Sequence, residues 1–244
     1  MPLSDSLPLQ ILFLASVFCA YALLVRTIFV SGLSRRAKII SAFVLFDWIL
    51  LQGLLSWKGV YANYPQAMPP YLLLFAVFPC VLVILFLMLS PAGRRFQNGL
   101  SQKRLILIHT VRIPVELGLY LLYRHQLVPQ LMTFEGRNFD ILAGLSALLV
   151  LWLLRTHRMN RMLLIGWNVI GLVLLLNIVV HGLLSATSPL QQFAFEQPNI
   201  ALLHFPYSLL PAFIVPVVLW AHLSSLRLAF QQPGDAEAPI GHQS

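Results

Sequence analysis

Long runs of apolar residues, separated by short polar stretches, follow one another along most of the chain. A helix needs about 20 apolar residues to cross the roughly 30 Å hydrocarbon core of a bilayer. Seven segments reach or approach that length, at residues 9–30, 39–57, 71–89, 105–123, 139–154, 162–184 and 201–226. The runs are continuous rather than alternating, which favours helices over the strands of a membrane barrel. The pattern therefore predicts an all-α, integral membrane bundle of seven helices in a single domain, residues 1–230.

The fifth segment is the shortest of the seven, with an apolar run of only about 16 residues. Two arrangements fit such a short run in a bilayer. Either the helix extends backwards into the polar stretch 133–138, or the residues that precede it dip into the protein.

Basic residues predict the orientation of the bundle, because Lys and Arg in short loops are retained on the cytoplasmic side. Twelve of the sixteen lie after the first, third, fifth and seventh segments or, for Arg26, near the end of the first: Arg26, Arg35, Arg36, Lys38, Arg94, Arg95, Lys103, Arg104, Arg155, Arg158, Arg161 and Arg227. The opposite loops carry Lys58, Arg124 and Arg137. We therefore predict an amino terminus outside and a cytoplasmic carboxyl terminus. The small, polar tail at 231–244 is predicted to be disordered.

Composition agrees with residence in a membrane, since 59% of the residues are hydrophobic and 10% are charged. The mean hydropathy is +0.81. A net charge of +8 in a soluble protein would indicate a polyanionic partner such as nucleic acid. Here most of that charge belongs to the cytoplasmic loops, where it meets anionic headgroups. We therefore expect the lipid bilayer as a partner and no nucleic acid, and no feature of the sequence predicts an oligomeric state.

Ionisable residues inside the predicted spans are few, and each is costly in lipid. The fourth segment places His109, Arg112 and Glu116 at offsets of three and four, on one helical face. Pro114 frees the carbonyl of Thr110, so a kink is expected there. Two hypotheses follow for these charges. In the structural one, Arg112 pairs with Glu116 or with Asp47 of the second segment. In the functional one, Arg112 holds an anionic ligand and Glu116 carries a proton or acts as a general base.

A second concentration of polar residues lies in the outer loops before the fifth and seventh segments and at the helix ends beside them. By depth, these residues are predicted to converge with those of the fourth segment in one polar cavity that opens outward. The predicted ligand-binding residues are Asp47, Arg112, Glu116, Glu135, Arg137, Asn138, Asp140, Asn177, His181, Glu196, Asn199 and His204. The histidines His109 and His222 lie nearer the cytoplasmic side and are expected to be unrelated to this cluster.

Three interpretations of the cluster remain open. Side chains of His181, His204 and a carboxylate are suitable zinc donors, but no HxxxH or HExxH spacing supports a metal site. The same groups also suit a hydrogen-bonded network that holds the helices together, or a pocket for a small or lipid-derived ligand. No cofactor is predicted.

Three functions correspond to these interpretations. The first is the handling of a small or lipid-derived ligand in the outward cavity of the fourth to seventh segments. The second is a membrane-embedded enzyme, such as a metal-dependent hydrolase, that acts on a lipid or lipid-linked substrate with Glu116, His181 and His204 as catalytic candidates. The third is a structural or assembly subunit.

Four stretches from the fourth segment onward carry a family likeness: RIPVELGLYLL, MTFEGRNFDILAGLSA, LLLNIVV and QQFAFEQPNIALLHFP. From the fourth segment to the end of the seventh, the chain resembles a family of uncharacterised multi-pass membrane proteins from bacteria. The resemblance implies a place in the bacterial cytoplasmic membrane. It assigns no activity and transfers no catalytic residues.

Overall fold

Helices are the regular secondary structure of residues 7–231, the part of the chain that the computed structural model describes, apart from one bridge between Ala186 and Asn199. The α-helices are α1 (Leu7–Phe29), α2 (Arg35–Trp57), α3 (Phe78–Leu89), α4 (Pro91–Asn98), α5 (Gln102–Ile108), α6 (Arg112–Arg124), α7 (Asp140–Arg155), α8 (Arg161–Leu184) and α9 (Val215–Gln231). The all-α prediction is confirmed. The predicted tail lies outside the described residues, except for Gln231, which ends α9.

Short turns of other helical types join some of these helices. Turns of π-helix at Leu73–Val77 and Leu210–Ile214 lead into α3 and α9. A 3-10 turn at His109–Val111 joins α5 to α6, close to the kink expected from Pro114, and further 3-10 turns lie at Gln130–Met132 and Ala201–Leu203.

Five helical stretches are long and apolar enough to cross a membrane: α1, α2, the continuous Gln102–Arg124, α8 and Leu210–Gln231. A sixth is added if Leu73–Leu89 and α4, which are bent by 79° from each other, are counted as one span. Helix α7 has 16 residues. At a rise of 1.5 Å per residue it is about 24 Å long, short of the roughly 30 Å hydrocarbon core.

The residues before α7 dip into the protein, as one of the two predicted arrangements requires. The helix does not extend into 133–138. Instead, Thr133 and Asn138 are buried, and Asn138 Oδ1 accepts a hydrogen bond from the Asp140 backbone N–H at 3.0 Å. This turn, in which an Asn side chain replaces a backbone acceptor, sets the start of α7 at Asp140.

The predicted seventh segment is wrong at its beginning. The apolar run predicts a helix over 201–226, but the continuous helix starts at Leu210, after the 3-10 turn Ala201–Leu203 and an irregular stretch. Pro206 explains the late start, because a proline disfavours helical geometry in the residue before it. Pro211 lies in the first turn of the helix, where its missing N–H is tolerated.

The stretch α5–α6 and helix α9 lie at the centre of the bundle. Helix α9 packs against α3, α5 and α8, while α6 packs against α1 and α7. Small residues on the buried face of α7, Ala143, Gly144 and Ala147, permit a close approach to the centre.

Helix α2 lies at the outside and buries only three residues, Gln52, Gly53 and Ser56. Gln52 Nε2 donates to the carbonyl of Phe75 at 3.0 Å. In an α-helix the N–H of residue 79 would donate to the carbonyl of Phe75. Pro79 has no N–H, so this carbonyl is left open to Gln52. The hydroxyl of Tyr61 donates to Gln52 Oε1, and burial raises the pKa of Tyr61 to about 12.

A second contact of α2 lies one helical turn before Gln52 and also uses a carbonyl that a proline leaves open. Trp48 Nε1 donates to the carbonyl of Ala212 at 3.0 Å. Pro216, four residues after Ala212, supplies no N–H to that carbonyl. Helix α2 is therefore attached to the bundle through carbonyls that prolines leave open in two other helices.

Candidate functional site

Arg112, at the start of α6, joins four helices through one guanidinium group. Its Nε lies 2.9 Å from Asp140 Oδ2 on α7, and the two side chains are only 3% and 6% exposed. Its Nη1 contacts His222 Nε2 on α9 at 3.2 Å, and Nη2 donates to the Gly171 carbonyl on α8 at 3.3 Å. The two opposite charges thus compensate each other in a place that water does not reach.

Glu116, one helical turn beyond Arg112, is connected to the same pair through an amide. Asn138 Nδ2 donates to Glu116 Oε2 at 2.6 Å and to the Met132 carbonyl at 3.0 Å, while its Oδ1 accepts from the Asp140 N–H. The predicted pairing of Arg112 with Glu116 or Asp47 is therefore wrong. Asp140 is the partner, because the turn at Asn138 brings the start of α7 against α6.

On the side of the basic loops, hydrogen bonds continue from His222. His222 Nδ1 bonds to Asn168 Oδ1 at 2.9 Å, while Asn168 Nδ2 donates to Ser225 Oγ at 2.8 Å. The amide oxygen only accepts, so this geometry assigns the imidazole proton to Nδ1 and leaves Nε2 to accept from Arg112. Gln102 Nε2, at the start of α5, donates to the same Ser225 Oγ at 2.6 Å.

We call this row of linked groups the polar column: Glu116, Asn138, Asp140, Arg112, His222, Asn168, Ser225 and Gln102. Its ends, Glu116 and Gln102, are 14 residues apart on one helical stretch, or about 21 Å at the rise of an α-helix. The column is therefore about two thirds as long as a hydrocarbon core of roughly 30 Å is thick. It can hold a buried charge pair and offers Arg112 a second carboxylate, Glu116, one turn away.

His109 and His222 lie together in the polar column and beside it. The prediction that these two histidines are unrelated to the other polar residues is therefore wrong. The His109 and His222 rings lie 3.9 Å apart, and the His109 and Trp167 rings 5.2 Å apart. Within the described residues, neither nitrogen of His109 has a hydrogen-bond partner. Side chains on a helix point towards its amino terminus, so Arg112 reaches from α6 towards the basic side, where His222 lies.

Two glycines let the neighbouring backbones come close to the column. A Cβ at Gly171 would lie 2.3 Å from His222 Cε1, and a Cβ at Gly144 would lie 3.1 Å from Arg112 Cβ. Only a residue without a side chain fits at Gly171 while His222 keeps its place.

Among the described residues, no hydrogen bond or ion pair joins the three catalytic candidates Glu116, His181 and His204 to one another. His181 Nδ1 bonds to the Asn177 carbonyl at 2.8 Å, and His204 Nδ1 bonds to the Ile200 carbonyl at 2.9 Å. Both bonds are local, four residues back along the chain. In the part of the chain that the structure describes, neither imidazole is hydrogen-bonded to Glu116. The prediction of a joint site rests on depth, which does not determine lateral position in the bundle.

Of the twelve predicted ligand-binding residues, the structure brings four together: Arg112, Glu116, Asn138 and Asp140. Three others, Glu135, Arg137 and Glu196, are exposed in the loops. Asn177 donates to the Arg137 carbonyl at 2.7 Å and Asn199 to the Gly182 carbonyl at 3.0 Å. Both bonds hold the loops at 125–139 and 185–209 on the bundle, and we call these loops the cap. Asp47 lies on α2 and lines a groove that contains none of the other predicted residues.

A cavity of about 130 Å³ lies at the end of the bundle opposite the basic loops. Its wall is mainly apolar and includes the loop after α2 as well as α8, so this cavity differs from the polar one predicted between the fourth and seventh segments. Among the predicted residues, Asn199 lines it. Met132 also lines it, and the Met132 carbonyl is bonded to Asn138. One residue therefore separates this cavity from the polar column.

A metal site is not found among residues 7–231, where no group of three or more His, Cys, Asp and Glu side chains is arranged to hold an ion. The sequence did not indicate that Asn168, Ser225 and His222 join Arg112. Each is a polar residue in an apolar span, which is a signal of burial, but their pairing depends on which helices are neighbours.

Comparisons with known proteins bear on the family and not on the chemistry. No curated protein and no solved structure shows significant similarity to the chain. The profile of a family described as "Domain of unknown function (DUF8737)" matches residues 68–230, well over half of the chain. The match begins just before the turn into α3 and includes nearly all of α9, so it contains the entire polar column. It agrees with the resemblance to an uncharacterised family, and the chain belongs to the DUF8737 family.

Proposed function

We propose that the chain is a seven-span protein of the bacterial cytoplasmic membrane, with its amino terminus outside. The apolar helices support insertion into a membrane. The alternation of basic and non-basic loops supports seven crossings, with α3 and α7 as complete spans. The short α7 suits a crossing next to a cap, because the buried stretch before it adds protein to the same depth.

We infer that its function is to bind a small or lipid-derived ligand at the outer face and to respond to it through the polar column. One observation supports this proposal above others. Met132 lines the outer cavity, and its carbonyl accepts the same Asn138 amide that bonds Glu116. A ligand in the cavity therefore acts on the intramembrane charges through a single residue.

The physical basis of the response is the cost of charge in lipid. Asn138 bonds both Glu116 and the backbone of Asp140, the residue paired with Arg112. A displacement of the turn Gln130–Met132 by a ligand weakens these bonds and changes the balance between the two carboxylates that face Arg112. Ionisable residues at such depth mark ligand or proton pathways in membrane proteins.

The test fills the cavity and leaves the column intact. Gly182 lines the cavity on α8, and a Cβ there would meet the Met132 Cε at 3.3 Å. Gly166, on the same helix, faces open space, since a Cβ added there would have no neighbouring atom within 4 Å. We expect bacterial lipid or metabolite extracts to raise the unfolding temperature of the wild type and of Gly166→Leu in nanodiscs, but not that of Gly182→Leu.

A Gly182→Leu protein that extracts stabilise as much as the wild type contradicts the proposal. If Gly182→Leu does not fold, Val179→Phe fills the same cavity from a partly exposed position on α8.

A purely structural column is the second candidate, favoured by the ion pair of Arg112 with Asp140 and by the contacts of its Nη atoms with His222 and the Gly171 carbonyl. Glu116→Gln separates the two. Glutamine keeps an oxygen that accepts from Asn138 but removes the carboxylate. The ligand proposal predicts a folded variant in which extracts stabilise the protein to a different degree than in the wild type, because the cavity and the carboxylate are linked through Asn138. A purely structural column predicts that extracts stabilise neither protein.

A further inference from the structure

A second and larger cavity lies on the other half of the bundle. It is a groove of about 560 Å³ between α1, α2, α3 and α9, with Phe96 of α4 at its end near the basic loops. None of the polar-column residues lines it. Its volume is in the range of sites that hold small organic molecules, about 300–1,000 Å³. Because α2 is mostly unburied, the groove is accessible sideways from the bilayer.

One carboxylate stands in this otherwise apolar groove. Asp47 lies on the groove wall near the middle of α2, twelve residues after Arg35 and ten before Trp57. Either end of the helix is thus about 15–18 Å away, which places the carboxylate deep in the hydrocarbon core. Among the described residues, Asp47 has no ion-pair partner. A carboxylate at this depth needs one.

Aromatic rings surround the same space. The groove is lined by Trp48, Phe96, Phe213 and Trp220, and the Phe96 and Trp220 rings are stacked with centroids 6.1 Å apart. Aromatic faces attract organic cations, and the attraction grows where water is excluded.

We propose that the groove binds a lipophilic organic cation, such as a long-chain amine, which reaches it from the bilayer. The ammonium group pairs with Asp47 and contacts the aromatic rings. The apolar chain lies along α3 and α9 towards Phe96. Charge complementarity selects this ligand class, because neutral or anionic chains of the same length leave the carboxylate without a counter-charge.

The experiment compares dodecylamine, dodecanol and dodecanoate, which share one chain length, in nanodiscs of zwitterionic phosphatidylcholine. Binding is followed by the unfolding temperature and by the tryptophan fluorescence to which Trp48 and Trp220 contribute. We expect dodecylamine alone to stabilise the wild type and to change its fluorescence. In Asp47→Asn, its affinity should fall about tenfold or more, since the ion pair is lost in a water-poor site.

Two further variants make the result specific. Glu196→Gln removes one negative charge from an exposed loop and should bind dodecylamine like the wild type, which controls for the net charge of the protein. Val83→Trp fills the groove from α3 and should abolish binding although Asp47 remains.

The proposal is overturned if dodecanol or dodecanoate binds as well as dodecylamine, or if Asp47→Asn binds like the wild type. Native mass spectrometry tests the other occupant, a second copy of the chain. A dimer that separates in Asp47→Asn, together with no response to dodecylamine, would assign the groove to self-association instead. None of these results depends on the outer cavity, so this inference and the proposed function fail separately.

Discussion

Arg112 shows how a charged residue is accommodated within an apolar bundle. Its guanidinium presents donors in three directions, to Asp140, His222 and the Gly171 carbonyl. A lysine ammonium has the same charge but cannot match this planar arrangement. The pairing compensates the charge without providing much net stability, because removing two ions from water costs about as much as their attraction returns.

Substitutions of the ion pair should therefore show strong coupling. We expect Arg112→Met alone, or Asp140→Leu alone, to lower the free energy of unfolding by about 3–5 kcal/mol, because each leaves an uncompensated buried charge. The double variant should lose far less than the sum, since two apolar side chains replace the pair. Denaturation by sodium dodecyl sulfate in micelles measures all four proteins. Additive losses would show that the residues do not interact energetically.

At the scale of helices, two devices hold the bundle together. Glycine lets α8 approach α9 closely at His222, and prolines in the helices packed against α2 leave carbonyls open to its side chains. Both devices use backbone groups, which suits a membrane protein because apolar side chains gain little there by leaving lipid for protein.

The close approach of α8 and α9 can be tested with a pair of glycines on one helix. Gly171→Ala places a Cβ 2.3 Å from His222 Cε1, so the helices must separate or His222 must move, at a cost of about 1–3 kcal/mol. Gly166→Ala places its Cβ in open space and should change stability by no more than about 0.5 kcal/mol. Unfolding midpoints of the two variants in the same micelles decide the matter. Equal values would contradict the packing argument.

The attachment of α2 predicts a dependence of Trp48 on Pro216. Trp48→Phe removes the N–H that bonds the Ala212 carbonyl and should cost about 1 kcal/mol. In a Pro216→Ala background the helix supplies its own N–H to that carbonyl, so the same substitution should cost less. Trp57→Phe is the control, because Trp57 is 76% exposed. An equal cost of Trp48→Phe in both backgrounds would show that the Trp48 bond does not depend on the N–H that Pro216 lacks.

At the scale of the whole molecule, the number of crossings can be measured by labelling. In a background with Cys19 and Cys80 replaced by Ala, single cysteines are introduced in loops on both faces. We expect a membrane-impermeant maleimide to label intact cells with cysteine at Asn63, Glu135 or Gln192, but not at Ser34, Asn98 or His157. If the Glu135 and His157 positions label alike, α7 does not cross, and the seven-span proposal fails.

Prediction from sequence was accurate where local composition decides the structure. The apolar runs predict the helices α1, α2, α7 and α8 to within about two residues, apart from the start of α2. That start lies at Arg35 instead of 39, because Ser34 caps the helix by accepting from the Ala37 N–H. The spacing of His109, Arg112 and Glu116 correctly indicated a buried face. Errors arose where one part of the chain meets another, as at the ion-pair partner of Arg112 and the start of the last helix.

What the sequence determined by itself is the membrane character, the all-α class and the identity of most residues too polar for their spans. These follow from hydrophobicity and helical spacing, which act over neighbouring residues. Only the tertiary structure decided that Arg112 pairs with Asp140 and His222, that His181 and His204 bond to nearby backbone carbonyls, and that Asp47 lines a groove without an ion-pair partner among the described residues. Such partners are separated by tens of residues along the chain. Whether they meet depends on which helices are neighbours. That lateral order in turn depends on close packing at glycines and prolines.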